Sequence, residues 1–406
     1  MAAPQENLAP VGSPHPKRSR YLHQPRKEPF IGIFMVGLGF FYGFIAVVLL
    51  LCFLGVLKAE EVTLEIESGQ VISRIGFGSC HRQNKPAPIL KTIVEAKPQV
   101  FIFLGDNVYA DTEDMAKMRA DYDRLLNQPD FKTLNDAAVL LATWDDHDFG
   151  RNDAGLDYAA RKGAEQEFYR AWAVPEDAPS RDRDGIYASY SFGPPGKRIQ
   201  IILLDTRYHR TPHRPNPKEL VPAEGNWAVQ NDKNATVLGD AQWDWLRDQL
   251  KDPAELRIIG SSIQFLSSEH KHERWSLFPR ERTRLLELLR QTAAQGVVII
   301  SGDRHFAEIS RLPVDDPEGI GYPLYDLTSS SLNAPLDPGR EPNRYRLANF
   351  RYTQANFGWI EVDWDAAPSP TLELEIRGLN GKAVATQRVS LRSLDPAAHA
   401  NQVSLR

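Results

Sequence analysis

Short apolar runs recur along the chain, and each has the length of a strand that is buried on both faces. They occupy residues 71–78, 100–104, 138–143, 199–204, 257–262 and 297–301. Helix-like stretches lie between several of them, at residues 112–126, 240–250 and 280–290. Residues 358–364 and 371–378 alternate apolar and polar side chains, as antiparallel strands do. This succession of strands and helices predicts a layered α/β fold.

Five of the apolar runs end in a cluster of polar residues. The clusters read SCHR from Ser79, GDNVY from Gly105, WDDHD from Trp144, DTR from Asp205 and GDRH from Gly302. A single Asp after a strand is usually a turn former or a helix cap, but five such clusters are hard to explain in that way. Because the carboxyl ends of parallel strands meet at one edge of a sheet, these side chains can converge. The sequence therefore predicts one composite site.

The residue types in these clusters suggest two different metal ions. A thiolate with a phenolate can hold a trivalent ion, so Cys80 and Tyr109 could bind a metal such as iron. Carboxylates and imidazoles suit a second ion, and the candidate ligands are Asp146, Asp205 and His305, with Asp106 placed to bridge. Two neighbouring metals can clamp a phosphoryl group and lower the pKa of a bridging water.

Other polar residues of the clusters could act on the substrate. His147 could protonate a leaving alkoxide. The arginines beside the acids would suit bidentate phosphate contacts, and Arg207 is favoured among them as a substrate and catalytic residue. Arg82 and Asn107 are further candidates for substrate binding. Each residue also has a structural alternative: an arginine could form only a salt bridge, and Cys80, Tyr109 or His147 could be satisfied in the core.

An uninterrupted apolar segment precedes the predicted domain. Residues 30–57 are 28 residues without a formal charge, whereas a helix needs about 20 to span a bilayer. Five bases and two acids lie in the first 28 residues, so the positive-inside rule predicts a cytoplasmic N-terminus and an exported body. A cleaved signal peptide is the alternative, but its apolar core usually has only about 7–15 residues. Cys80 is the single cysteine of the exported body, and metal binding would protect that thiol.

These features divide the 406 residues into four parts. We predict a cytoplasmic flexible tail at 1–29, a transmembrane anchor at 30–57, one large domain at 62–393 and a C-terminal tail at 394–406. The formal net charge is −5, and the first 28 residues contribute +3, so the rest of the chain carries −8. A negative body argues against non-specific binding to nucleic acid, which requires a basic surface.

The polar motifs, taken in order, resemble those of the PhoD-like alkaline phosphatases, which have the calcineurin-like metallophosphoesterase architecture. The matching segments, which together cover roughly residues 71–335, are FGSCHRQ, FLGDNVYAD, TWDDHDFGRND, LLDTRY, LGDAQWDWL, SGDRHFAE and LTSSSLN. The resemblance implies a sandwich of two β-sheets flanked by helices, and a phosphomonoesterase or phosphodiesterase activity. It implies two or more metal ions, Fe³⁺ with Ca²⁺, with Zn²⁺ or Mn²⁺ as alternatives.

Carried over residue by residue, the resemblance makes Cys80, Asp106 and Tyr109 metal ligands. Further ligands implied by it are Asp146, Asp205, Asp303 and His305. One departure is that no Arg-Arg pair precedes the apolar segment, so the twin-arginine export signal of some members is missing. A tethered enzyme could meet small phosphoesters, lipid head groups or envelope polymers. The alternatives are a phospholipase D-like phosphodiesterase and a degenerate, non-catalytic envelope binding module.

Overall fold

The computed structural model describes residues 69–217, 226–337, 339 and 341–399. Within these residues the strands are β1 (Arg74–Gly78), β2 (Val100–Leu104), β3 (Val139–Thr143), β4 (Ala188–Phe192), β5 (Ile199–Leu203), β6 (Leu256–Ser261), β7 (Val297–Ser301), β8 (Ala307–Leu312), β9 (Leu324–Ser329), β10 (Asn356–Asp363), β11 (Thr371–Gly378) and β12 (Ala383–Ser390). The α-helices are α1 (Ile89–Ala96), α2 (Met115–Leu126), α3 (Pro129–Ala137), α4 (Asp146–Phe149), α5 (Arg161–Ala171), α6 (Asp240–Gln249) and α7 (Pro279–Gln291).

The first sheet joins a parallel half to an antiparallel half, in the order β12-β11-β10-β1-β2-β3. Strands β1, β2 and β3 run parallel and are connected through helices α1, α2 and α3. Strands β10, β11 and β12 complete the sheet by antiparallel pairing. Since β1, β2 and β3 run in one direction, the loops that follow them leave the sheet at the same edge.

The second sheet has the order β4-β5-β6-β7-β9-β8. Its four central strands run parallel, and its two edge strands pair antiparallel to their neighbours. The central strands β5, β6 and β7 are mostly apolar and are buried, because helices or the other sheet cover both of their faces. The loops after β5, β6, β7 and β9 therefore also meet at one edge.

The two sheets face each other across the main apolar core. Along β2, Ile102 and Leu104 belong to this core, whereas Phe101 and Phe103 belong to a second core under the helices that cover the first sheet. The sheets approach closely at Gly260, where a Cβ atom would lie only 3.1 Å from Leu104. Helices α6 and α7 cover the outer face of the second sheet. The predicted α/β fold, with two sheets flanked by helices, is confirmed.

The structure can be compared with the predicted domain boundary at the C-terminal end of the chain, but not at the N-terminal end. The predicted tail and membrane helix, residues 1–29 and 30–57, lie outside the described residues. Among the helices that the structure describes, none is long and apolar enough to cross a membrane. At the other end, Leu394 is fully buried, and its carbonyl accepts a hydrogen bond of 2.8 Å from the Gly296 N–H. The packed domain therefore includes Leu394, the residue at which the C-terminal tail was predicted to begin.

Candidate metal centre

Loops from both sheets meet at the edge where the parallel strands end, and their backbone is unusual there. Cys80, Asp106, Asp303 and His305 have φ values of 58°, 51°, 68° and 59°. Residues other than glycine rarely adopt this left-handed conformation, and such residues concentrate at functional sites. All four belong to the polar clusters that the sequence places after β1, β2 and β7.

The Cys80 thiol is fully buried among polar groups. Its Sγ lies 3.4 Å from Asp106 Oδ2 and 3.1 Å from Ser330 Oγ in the loop after β9. Burial raises the pKa of the Cys80 thiol to about 11, so the thiol is neutral unless a positive charge is brought near it. A metal ion at this position would favour the thiolate.

Tyr109 and His305 face each other beside this thiol. The Tyr109 hydroxyl lies 3.2 Å from His305 Nε2, and His305 Nδ1 hydrogen-bonds the carbonyl of Ala334. In the neutral ring, donation from Nδ1 leaves a lone pair on Nε2, which is the arrangement of a metal-binding histidine. The Arg82 guanidinium lies over the Tyr109 ring, 4.0 Å from its centroid. Arg82 thus lies beside the candidate ligands, and its predicted contact with a substrate stays a prediction.

Asp106 connects two groups of potential ligand atoms. In each group the ligand atoms lie within 4.8 Å of one another, and the groups are Cys80, Asp106 and His305, and Asp106, Asp146 and His147. Because Asp106 belongs to both groups, its position fits the bridging role that the sequence predicts. Asp106 is almost completely buried, and burial together with the neighbouring thiol raises the pKa of its carboxyl group well above the ordinary value.

Asp303 supplies a further carboxylate at the end of β7. Among the described residues its buried Oδ2 has no hydrogen-bond donor, and Arg304 Nη1 lies 3.6 Å away. Burial, and then the charge of Asp146, raise the pKa of Asp303 to about 6, although Arg304 opposes this. Burial thus raises the pKa of several acids here, and bound metal ions would favour their ionised form.

His147 lies at the rim of this group and is held by another acid. Its Nδ1 lies 2.7 Å from Asp111 Oδ1, and its ring centroid is 4.2 Å from that of Tyr109. The side chain is 18% exposed, so a substrate can reach it. Burial favours the neutral ring, but Asp146 and Asp106 outweigh it and raise the pKa of His147 to about 11. These neighbouring acids therefore favour the protonated ring.

Asn107, predicted to contact substrate, joins two loops through its amide nitrogen, and its buried Oδ1 has no hydrogen-bond partner among the described residues. It is fully buried, and its Nδ2 donates to the carbonyl of Thr143 at 2.8 Å and to Asp148 Oδ2 at 2.6 Å. Asp148 also accepts hydrogen bonds from the backbone N–H groups of Asp106 and Asp145, at 3.1 and 2.7 Å. These bonds fix the loops after β2 and β3 against each other and thereby position Asp106.

Asp205, predicted as a metal ligand, is occupied by other bonds. Its Oδ1 accepts hydrogen bonds from Trp144 Nε1 and from the backbone N–H groups of Arg207 and Tyr208, at 2.9, 2.8 and 2.9 Å. Its Oδ2 accepts a bond of 3.0 Å from the N–H of Ile186. The carboxylate is fully buried, and, like that of Asp303, it belongs to none of the groups of potential ligand atoms. The structure thus gives Asp205 a structural role.

Arg207, predicted to contact substrate, is fully buried behind the site. Its guanidinium pairs with Asp145 and lies 2.5 Å from Glu273 Oε2. Glu273 also contacts Arg210 at 3.2 Å and His213 at 2.6 Å. Arg207 therefore belongs to a closed ionic network and can position Asp145, but it does not reach a substrate.

Sequence reasoning missed two acids near Asp146. Ligand atoms of Asp153 and Glu273 lie within 4.8 Å of Asp146, and the Asp153 N–H donates to Asp146 Oδ2 at 2.6 Å. Burial, followed by the charges of Glu273 and Asp146, raises the pKa of Asp153 to about 8. Asp153 lies seven residues after Asp146 in the same polar segment, which could have indicated it. Glu273 follows no apolar run, and its position depends on tertiary packing.

A family model described as PhoD-like phosphatase matches residues 75–365, which is most of the described domain. The chain belongs to the PhoD-like phosphatase family. Over 279 residues it is 24% identical to alkaline phosphatase D of Bacillus subtilis (strain 168), a match that covers 59% of this chain and 47% of that protein. The chain thus spans about half the length of this curated relative.

Two solved structures support the fold of this PhoD-like chain. A structure of PhoD aligns with a TM-score of 0.61 and 16% identity, covering 81% of this chain and 71% of that chain. The purple acid phosphatase PPD1 from yellow lupin (Lupinus luteus) seeds aligns with a TM-score of 0.54 and 12% identity. The alignment covers 79% of this chain and 54% of that chain. These likenesses show the shared two-sheet architecture, so the resemblance predicted from the sequence motifs is confirmed.

Proposed function

We propose that this chain hydrolyses phosphate esters with the help of two or more metal ions, as an alkaline phosphatase or phosphodiesterase. The observation that carries the proposal is the position of Asp106, which belongs to two adjacent groups of potential ligand atoms. Membership of the PhoD-like phosphatase family supports the same reaction class. The donors also match the metals expected from the sequence, because a thiol and a phenol adjoin one group and carboxylates dominate the other.

In this proposal Fe³⁺ would be held by Cys80, Tyr109, Asp106, Asp303 and His305, and a second ion, Ca²⁺, by Asp106 and Asp146. When bound, the ions would act as Lewis acids that lower the pKa of a water molecule and offset the charge of the phosphoryl oxygens. Zn²⁺ or Mn²⁺ are the alternatives. The buried, weakly compensated carboxyl groups of Asp106 and Asp303 support metal binding.

The residues of the chain itself would orient the ester and transfer the proton. Arg82, held over the ring of Tyr109, would contact the phosphoryl oxygens. His147, held through Nδ1 by Asp111, would donate the proton on Nε2 to the leaving oxygen as its bond to phosphorus breaks. Water supplies the new P–O bond, so the products are an alcohol and a phosphate with one ester bond fewer.

The test is hydrolysis by the full-length protein of p-nitrophenyl phosphate and of bis(p-nitrophenyl) phosphate, with and without a chelator. We expect turnover that the chelator abolishes and that metal ions restore. His305→Gln should lose turnover and metal, whereas His399→Gln, in the last described turn, should keep both. Absence of metal and turnover in the wild-type protein would favour the non-catalytic module. Strong preference for the diester would favour the phospholipase D-like alternative.

We also propose that residues 30–57 anchor the enzyme, with its N-terminus in the cytoplasm and its catalytic domain on the non-cytoplasmic side of the membrane. The charge-free apolar segment and the five bases before it support this arrangement. In that location the substrates would be small phosphoesters, lipid head groups or envelope polymers. Membrane fractionation with an alkaline wash tests the anchor, and release of the full-length chain by that wash would refute it.

A further inference from the structure

Basic side chains form a second group beside the candidate metal centre. This basic cluster consists of His270, His272 and Arg274, from the segment that follows β6, and Arg304, from the loop after β7. His270, Arg274 and Arg304 are only 4%, 7% and 8% exposed. Glu273 lies between two of these residues in sequence but belongs to the ionic network around Arg207. The basic cluster is thus separate from that network.

Arg304 links the basic cluster to the candidate metal centre. Its Nη1 lies 3.6 Å from Asp303 Oδ2, and its Nη2 pairs with Glu341 Oε1. His272 Nε2 lies 3.9 Å from the same Glu341 oxygen, and the rings of His270 and His272 are 6.2 Å apart. The cluster therefore starts at a candidate metal ligand and extends to His272, whose side chain is 32% exposed. A ligand at the metal centre could extend into it.

Several buried polar atoms of the basic cluster lack partners among the described residues. Both ring nitrogens of His270 have no hydrogen-bond partner, and the same holds for the Nε atoms of Arg274 and Arg304. Arg274 donates from Nη1 to the carbonyl of His272 at 2.7 Å, but no carboxylate of the described residues is within salt-bridge distance of it. Buried donors without acceptors are unfavourable, so their concentration here indicates a bound acceptor.

The charge of the basic cluster indicates that this acceptor is an anion. Burial, and then repulsion from Arg304, lower the pKa of Arg274 to about 10 and that of His272 to about 4. The pKa of His270 is lowered for the same reasons. Both histidines are therefore neutral, and the acids Glu341 and Asp303 both lie beside Arg304, so Arg274 is the cation without a carboxylate partner among the described residues. An anion would balance the charge of Arg274, and its planar guanidinium group matches phosphate oxygens.

We propose that the basic cluster binds a second phosphate group of the substrate, which the substrate carries in addition to the ester that is cleaved. The proposal rests on the proposed function, because it takes the cleaved ester to lie at the metal centre. The preferred substrates would then be phosphoesters that carry a second phosphate on the same molecule. Simple esters such as p-nitrophenyl phosphate would use only the metal centre and Arg82.

A matched pair of substrates tests this inference with the full-length protein. Thymidine 5′-(p-nitrophenyl phosphate) is compared with the same ester that carries a 3′-phosphate, through the ratio of their kcat/KM values. We expect the wild-type protein to favour the 3′-phosphorylated ester about tenfold, mainly through a lower KM. Arg274→Met removes the charge while keeping the apolar stem, and it should reduce the ratio to near one.

Arg257→Met is the matched control. Arg257 is as buried as Arg274 and bonds only to backbone carbonyls, but it lies at the opposite end of β6. It should keep the wild-type ratio even if it lowers stability. If the 3′-phosphate has no effect on kcat/KM of the wild-type protein, or if Arg274→Met keeps the wild-type ratio, the basic cluster is structural and the inference is wrong.

A binding measurement keeps this test independent of turnover. By calorimetry, thymidine 3′,5′-bisphosphate should bind the wild-type protein about tenfold more tightly than thymidine 5′-phosphate, and Arg274→Met should lose this difference. Absence of hydrolysis with a retained bisphosphate preference would contradict the proposed function and support the subsite. Hydrolysis of both esters with equal affinity for the two nucleotides would contradict the subsite alone.

Discussion

Asp205 and Asp303 follow two parallel strands of the second sheet, yet the structure gives their carboxylates opposite surroundings. Asp205 accepts four hydrogen bonds, one from an indole and three from backbone N–H groups. Asp303 has a buried oxygen with no donor among the described residues. The sequence predicts both as metal ligands, but the local bonds favour this role only for Asp303.

This contrast predicts opposite effects for the same substitution at the two positions. Asp205→Asn should destabilise the fold by roughly 3 kcal/mol, because an amide cannot accept all four hydrogen bonds, and should leave the metal content of the folded protein unchanged. Asp303→Asn should change the metal-free stability little but lower metal content. Denaturant unfolding and elemental analysis of both variants check this. Equal metal loss in the two variants would contradict the assignment.

The proposed role of His147 predicts a dependence on the leaving group. His147→Asn should reduce kcat/KM about 100-fold or more for glycerol phosphate, whose alkoxide needs a proton, but less than about tenfold for p-nitrophenyl phosphate, whose phenolate leaves unaided. Steady-state kinetics with the two esters measure the difference. A uniform reduction for both esters would instead assign His147 to metal or phosphate binding.

Much of the candidate site could be predicted residue by residue. Cys80, Asp106, Tyr109, Asp146 and His305 converge as their positions after strands indicate. The roles of Arg207 and Asn107 could not be predicted, because they depend on Glu273 and on Asp148 as bonding partners. The sequence shows which side chains lie near the end of a strand. It does not show which of them already form hydrogen bonds or ion pairs with neighbouring residues.

At the scale of elements, the turn after β2 depends on a glycine. Gly105 has φ of 99°, and a Cβ there would overlap the Cβ of Asp145 and lie 2.5 Å from the backbone nitrogen of that residue. This close approach brings the loop after β2 against the loop after β3. Asp148 then bonds the two loops together, as the bonds to Asp106 and Asn107 show.

Gly105→Ala should therefore destabilise the fold by more than about 3 kcal/mol, through left-handed strain and overlap with a backbone that cannot move freely. Gly196→Ala is the control, because Gly196 has a similar φ of 90° but no atom within 4 Å of the point where a Cβ would stand, so it should cost only about 1–2 kcal/mol. Urea unfolding compares them. Equal costs would show that strain alone matters at Gly105.

The sequence predicted the buried parallel strands well and the polar strands poorly. Strands β2, β7 and β11 have the predicted bounds. Strands β8 and β9 were missed, because they carry buried acids that interrupt the apolar pattern. Glu308 is bonded by Arg346, and Asp326 accepts backbone hydrogen bonds of 3.0 and 2.9 Å from Phe265 and Leu266. Strand β12 is largely exposed and has little apolar signal.

At the scale of the whole molecule, the two-sheet sandwich directs the ends of seven parallel strands to one edge. Loops from both sheets contribute to the candidate centre there: Cys80 and Asp106 from the first, and Asp303 and His305 from the second. The site therefore requires the complete domain, and the family match over residues 75–365 spans the described strands that carry it. The predicted anchor would add only location to this chemistry.

The most direct test of the metal-dependent mechanism is the metal content per chain of the full-length protein and its Asp106→Ala variant, measured together with phosphoester hydrolysis. We predict at least two metal ions in the wild-type protein and loss of more than one in Asp106→Ala, with turnover reduced more than about 1,000-fold, because Asp106 belongs to both ligand groups. Asp326→Ala, another buried aspartate, controls for unfolding. A metal-free wild-type protein, or an Asp106→Ala variant with full metal content and turnover, would contradict the account.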